Sequence, residues 1–385
     1  MPNKKATDCD TITQRAFFDT IEMMLIGRHR MKILIGLENI GLGGMKRATT
    51  VVGNALAATH DVTYYSFSDM PPFYTLAAPL LVSETPVTLD NDAQPFERFA
   101  QQIREFEAVA RQFDVVILAG GLLSSFAAQL TLPNTQLIGW MHNNVTTYQT
   151  QYYAAMQDEF NAGLRALDVI VALTDSDLAG FSAYNRTVKI WNPLTITPSG
   201  QADLNQKVIA FTARIAIQHK GIDFAVKLAD KLPADWQLAI AGGGSAEDMA
   251  TFEALIDQHQ VADKIIYRGP LKDDALREHY RQASLFVQTS RWEGLPLVLA
   301  EAMSFGLPIA AMRNTGSAEV LAEGAHGILT PNADVDALYT AIEPLLQDVD
   351  QRAAYAQKSL QRVEDFKIAP ILAQWEAVFQ QKFDN

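Results

Sequence analysis

SRWEGLPLVLAEAMSFGLPI, residues 290–309, sets Glu293 and Glu301 eight positions apart in an otherwise apolar run. Pro296 stands where a helix would begin. Gly306, followed by Leu307 and Pro308, would end it, glycine as the left-handed cap and proline as the stop. With Leu297, Val298, Leu299, Ala300, Ala302 and Met303 around Glu301, this short helix has little polar face. Its first turn, Gly294 to Leu297, offers free backbone N–H groups at the positive end of a dipole, an anion site that needs no cationic side chain. Glu293 precedes that end, whereas Glu301 lies roughly 7.5 Å further along the axis at 1.5 Å per residue. A nucleotide diphosphate sugar has the matching layout, with sugar hydroxyls on one side of the phosphates and ribose hydroxyls on the other, and carboxylates accept hydrogen bonds from both diols.

Outward from this stretch, short apolar runs alternate with helical patterns. The first series is 32–37, 62–67, 115–120, 136–141, 169–173 and 188–191; the second is 207–213, 236–243, 264–269, 285–290, 308–312 and 327–330. Unbroken apolar strands separated by helices predict parallel sheets covered on both faces, and two series predict two doubly wound domains. Residues 192–206, with Pro193, Pro198, Gly200 and small polar residues, break the periodicity and mark the join. The expected organisation is an extension over 1–30, a Rossmann-like domain over 31–195 and a second over 200–365. A helix within 366–385 is expected to cross back to the first domain. Such sheets bind ligands at the carboxyl ends of their strands, so the site is expected in the cleft between them.

The composition fits this and narrows the partners. Of 385 residues, 48% are hydrophobic and 19% charged, enough apolar material for two cores. A net charge of −13 gives no basic footprint for nucleic acid. Cys9 is the only cysteine, which excludes an intrachain disulfide framework and a cysteine zinc site and fits a cytoplasmic setting. Asp19 and Glu22 interrupt the apolar part of the N-terminal segment, unlike a secretory signal, and Met31 directly before the first strand reads as an alternative start. Residues 31–195 hold nine Lys and Arg against fifteen Asp and Glu, which is no polybasic membrane surface; peripheral contact with the inner face of the plasma membrane stays open.

The motif E-G-L-P-L-x-L-x-E-A-M-x-x-G-x-P-I resembles the E-x7-E signature of retaining glycosyltransferases of family 4, which have the GT-B fold, and the resemblance extends more weakly over about residues 32 to 380. It implies that Glu293 contacts a donor sugar and Glu301 the ribose, with Gly294, Leu295, Pro296 and Leu297 at the diphosphate. Arg214 and Lys220, in the loop after the first strand of the second domain, match the pair that neutralises the departing phosphate; His219 is the weaker candidate. The glycine loop 41–44 brings Gly43 and Gly44 near the donor. It is no dinucleotide fingerprint, because Lys46 stands where G-x-G-x-x-G needs glycine. Lys46 and Arg47 read as solvated helix residues rather than contacts to an acceptor phosphate. His142 ends a strand facing the cleft, where the family has a histidine near the sugar hydroxymethyl. Tyr148, Tyr152 and Tyr153 read equally as a stacking platform for an acceptor sugar or as core. Gly243 and the backbone around Arg268 to Leu271 are expected at the nucleotide. Thr315 departs from the family's Gly-Gly-x-x-Glu, while Gly316 and Glu319 keep it.

The expectation is therefore a metal-independent, retaining hexosyltransferase, with no cofactor beyond its nucleotide-sugar donor, probed first with UDP-sugars. Its acceptor is a glycan, a polyol phosphate or a lipid-linked hydroxyl in cell-wall polysaccharide, teichoic acid or glycolipid synthesis. A sugar-nucleotide epimerase of the same fold and a non-catalytic sugar-nucleotide-binding module are the alternatives.

Overall fold

The computed structural model describes residues 30–380, so the expected extension lies outside the described residues except for Arg30. Each of the twelve apolar runs becomes a strand with its ends shifted by at most two residues. In the first domain these are β1 Lys32–Leu37, β2 Asp61–Ser66, β3 Leu80–Val82, β4 Val115–Ala119, β5 Gln136–Trp140, β6 Val169–Ala172 and β7 Thr187–Lys189; in the second, β8 Val208–Thr212, β9 Gln237–Ala241, β10 Ile265–Tyr267, β11 Leu285–Gln288, β12 Ile309–Met312 and β13 Ile328–Thr330. The strand without a sequence signal is β3, a three-residue edge on which Leu81 and Val82 are each 41% exposed. It pairs only with β2, so no buried apolar run was required of it.

The sheets run β3-β2-β1-β4-β5-β6-β7 and β10-β9-β8-β11-β12-β13, all pairings parallel. In each, strand order reverses beside the first strand, between β1 and β4 and between β8 and β11. A crevice opens at such a reversal because successive crossover helices leave to opposite faces of the sheet. The central strands β4, β5 and β6 are buried along their whole length, as strands covered on both faces must be.

The helices that matter here are α1 Gly44–Leu56, α2 Asp175–Phe181, α3 Asp273–Arg281, α4 Leu297–Ser304, α5 Thr315–Val320 and α6 Ile368–Gln380. Helix α4 follows Pro296 and stops two residues before Gly306, whose φ of 72° is the left-handed conformation glycine adopts without strain. Helix α6 lies against the first domain although it is the last element of the second. The Trp375 ring sits 4.8 Å from Trp140 of β5, His60 Nε2 is 2.8 Å from Glu376 Oε1, and Gln136 Nε2 donates to the carbonyl of Val378. The linker runs back along the second domain, with Leu194 N donating to Phe366 O and Ala202 N to Phe305 O.

Candidate functional site

The carboxyl ends of the two sheets face one another across a cleft of about 1030 Å³. From the first domain it is lined by Glu38 after β1, the glycine loop with Gly43 and Gly44, Lys46 and Arg47 of α1, and His142 after β5. From the second it is lined by Arg214 after β8, Lys220, Gly243 after β9, and the run Glu293, Gly294, Leu295, Pro296, Leu297 together with Glu301. Of the candidate site residues, only Arg268 is outside this lining. Its backbone N–H continues the sheet by donating to Ile240 O, and Pro270 and Leu271 reach the cleft in its place.

Glu293 is 8% exposed, and Lys220 Nζ lies 2.7 Å from its Oε1. Burial alone would raise this carboxyl, but the Lys220 charge and hydrogen bonds from Lys220 and Ser290 hold it below the usual carboxylate range, so it is ionised at neutral pH. His219 stacks on Trp292 with ring centroids 4.8 Å apart, and its Nε2 pairs with the Trp292 carbonyl, which orients the loop carrying Glu293. Burial and the neighbouring Lys220 charge depress His219 to about 4, leaving it neutral. Arg214 is exposed to the cleft and has no hydrogen-bond or ion-pair partner among the described residues. The first turn of α4 points its free N–H groups into the same space, and the glycine loop stands opposite, a Cβ at Gly44 falling 3.7 Å from Leu297 Cδ1.

Glu301 is 1% exposed and is held from three sides. Arg47 Nη1 lies 2.7 Å from Oε1, the Thr195 hydroxyl donates to Oε1 at 2.5 Å, and the Tyr280 hydroxyl of α3 donates to Oε2 at 3.0 Å. This corrects the reading of Arg47 as solvated: its guanidinium also donates to Thr195 O and spans from the first domain to the second domain's buried carboxylate. An unpaired Glu301 in so apolar a setting would carry a heavy desolvation cost, which an arginine fork offsets better than a flexible lysine.

The aromatic cluster is settled as well. Tyr148 and Tyr153 are each 4% exposed and stack on one another at 5.2 Å, so they are core; Tyr152 alone is half-buried at the edge. Both ring nitrogens of His142 are buried without a hydrogen-bond partner, and burial, aided by the Lys46 charge, pushes the imidazole down to about 3. It is a neutral ring aimed at the cleft and able to exchange hydrogen bonds with a hydroxyl.

Besides Arg47 and Glu301, three contacts join the domains. A Cβ on Gly294 would fall 2.3 Å from the His142 carbonyl oxygen, so only glycine lets this loop lie on the first domain's backbone. Glu319 of α5 accepts from Lys189 Nζ at 2.9 Å, Trp191 Nε1 at 2.8 Å and the Asp175 backbone N–H of α2 at 2.9 Å. Thr315, the departure from the family pattern, donates its hydroxyl to the Glu293 carbonyl and receives the Asn144 amide, so it too bridges the cleft. Asn192 and Gln288, which the sequence did not single out, bring buried side-chain oxygens without partners to the cleft wall.

Two Rossmann-like parallel-sheet domains closing on a polar cleft make a GT-B architecture. Residues 195–362 match the family model of glycosyl transferases group 1. An uncharacterized glycosyltransferase of Haemophilus influenzae is 27% identical over 363 residues, 90% of this chain and 99% of the relative. Sucrose-phosphate synthase from Thermosynechococcus elongatus superposes with a TM-score of 0.80 at 21% identity, over 92% of this chain and 100% of the other. The Anabaena protein HepE, solved in complex with UDP and glucose, gives a TM-score of 0.77 at 18% identity, over 91% and 100%. Together these findings support a GT-B glycosyltransferase. Among the described residues no helix is long and apolar enough to cross a membrane.

Proposed function

We propose that the protein is a retaining glycosyltransferase that moves a hexose from a UDP-sugar to a hydroxyl acceptor in cell-surface polysaccharide, teichoic acid or glycolipid synthesis, acting in the cytoplasm at the membrane face. The observation that carries this reading is the convergence, in one cleft, of the Lys220–Glu293 pair, unpaired Arg214, the open end of α4 and buried Glu301. The spacing suits a diphosphate at the end of α4, a hexose at Glu293 and a ribose at Glu301. The UDP complex of the Anabaena protein supports the choice of base.

In the proposed reaction the acceptor oxygen forms its bond to the anomeric carbon on the face from which the C–O bond to phosphate breaks, and the acceptor proton passes to the departing phosphate oxygen. Arg214, Lys220 and the α4 N–H groups stabilise the charge that grows on the diphosphate, the task a divalent ion performs in other enzymes. Neutral His142 holds a sugar hydroxyl, and ionised Glu293 accepts hydrogen bonds from the hexose while Lys220 keeps a second proton for phosphate. Domain contact at Gly294 keeps water away from the anomeric carbon.

The test is calorimetric titration with UDP-, GDP- and ADP-sugars, followed by NMR of the product's anomeric proton. Binding of a UDP-sugar and an anomer matching the donor are expected. No nucleotide-sugar binding, or an inverted product, would overturn the reading, and conversion of the donor sugar to its epimer without an acceptor would favour the epimerase.

A further inference from the structure

We propose that Glu38 is the acceptor-binding carboxylate: it accepts a hydrogen bond from a hydroxyl of the incoming polyol, beside the anomeric carbon of the donor. The inference rests on the cleft being a sugar-transfer site. Glu38 directly follows β1, at the reversal of strand order in the first sheet, and it lines the cleft. Among the described residues it has no hydrogen-bond or ion-pair partner, and Lys46 acts on it only through space. Every other carboxylate lining the inner cleft is occupied, Glu293 by Lys220 and Glu301 by Arg47, Thr195 and Tyr280. A half-buried carboxyl that the fold leaves without a partner is free to accept a hydrogen bond from a ligand.

Its surroundings suit a polyol rather than an anion or an apolar chain. Its Oε1 would lie 3.9 Å from a Cβ on Gly120, with Met45 Sδ 3.0 Å from the same point, so the carboxyl stands beside the Gly120 turn at the end of β4. The buried hydroxyls of Tyr148 and Tyr153 are raised chiefly by burial and in part by the Glu38 charge, so they stay protonated at neutral pH. Tyr152 gives a half-buried ring at the edge for a sugar face, and Asn143 and Asn91 add amides to the same wall. Arg214, Lys220, Glu293 and the end of α4 lie on the second domain, while Glu38 lies on the first together with His142 and the glycine loop, so an acceptor held by Glu38 approaches the hexose from the first-domain wall. Burial raises the Glu38 carboxyl, which strengthens it as a hydrogen-bond acceptor once ionised.

The experiment compares wild type, Glu38→Gln and Glu38→Ala in two binding assays. Calorimetry with UDP reads the donor side; saturation-transfer NMR of methyl hexosides, added to UDP-saturated protein, reads the acceptor side. UDP affinity within about 2-fold of wild type in both variants is expected, with hexoside binding reduced at least about 10-fold in Glu38→Ala and less in Glu38→Gln, which keeps one acceptor oxygen. Unchanged hexoside binding in Glu38→Ala, no hexoside binding in the wild type, or a loss of UDP affinity equal to the loss of hexoside binding would each overturn the assignment. A wild type that fails to bind UDP would instead count against the donor reading, so the two failures are distinct.

Discussion

At the scale of single residues, the arginine at position 47 bears on the proposed ribose site at Glu301. A ribose that reaches Glu301 competes for the carboxylate with Arg47, whose Nη1 lies 2.7 Å from Oε1. A ligand that has to displace an existing partner binds with an affinity lowered by the population of the blocked state. Arg47→Met should therefore tighten UDP binding, by about 3- to 10-fold, measured by calorimetry; a weakened affinity would instead make Arg47 a direct contact to the nucleotide. The sequence could not reveal this contact, because nothing in "MKRATT" distinguishes an arginine that crosses between domains from one that faces solvent. Glu301 was legible for the opposite reason: a charge surrounded by six apolar neighbours on a short helix has nowhere to go except a buried partner or a ligand. Glu38 had a signal that passes easily unseen, a lone acid directly after the buried run Ile33 to Leu37.

At the scale of elements, the loop before α4 joins chemistry to domain contact. Gly294 stands between Glu293, the proposed contact to the donor sugar, and the helix end, and its missing Cβ is what lets it rest on the His142 carbonyl. A methyl group there meets the backbone of His142 and Asn143, so the strain cannot be relieved by turning a side chain. Gly294→Ala should therefore hold the domains apart: turnover falling by roughly 100-fold, as misplacement of reacting groups by about an ångström allows, together with a larger radius of gyration by X-ray scattering. Turnover near that of wild type would show that the contact is not needed for closure. The strands and α4 were readable from the sequence because apolar runs of four to eight residues between helical patterns have few alternatives. Strand β3 was not, since an exposed three-residue edge owes its place to pairing with β2 rather than to its own composition.

At the scale of the whole molecule, several imidazoles are kept neutral by the fold. An unfolded histidine takes up a proton below its ordinary value of 6.5, whereas burial holds His142 and His279 uncharged down to about 3. Between those limits the unfolded chain binds more protons than the native one, so stability is intact above pH 6.5 and drops as the pH falls, by up to about 1.4 kcal/mol per pH unit for each such histidine. Glu293 acts in the same direction at lower pH, its contribution being present above the ordinary carboxylate value and lost as the pH falls through its depressed one. Denaturant midpoints should therefore decline between pH 7 and pH 5, before most carboxylates titrate, and His279→Gln should flatten that decline. A midpoint independent of pH over this interval would contradict the assignment of both rings as buried and neutral.

The return of α6 to the first domain has a consequence for how the chain is made. Trp375, Phe379 and Ile371 are each completely covered, and the surface that Trp375 covers belongs to a sheet whose strands leave the ribosome some two hundred residues earlier. Until α6 has been made, Trp140 lacks its cover, and a chain released before Trp375 never acquires it. Synthesis of α6 is thereby written into the packing of the first domain.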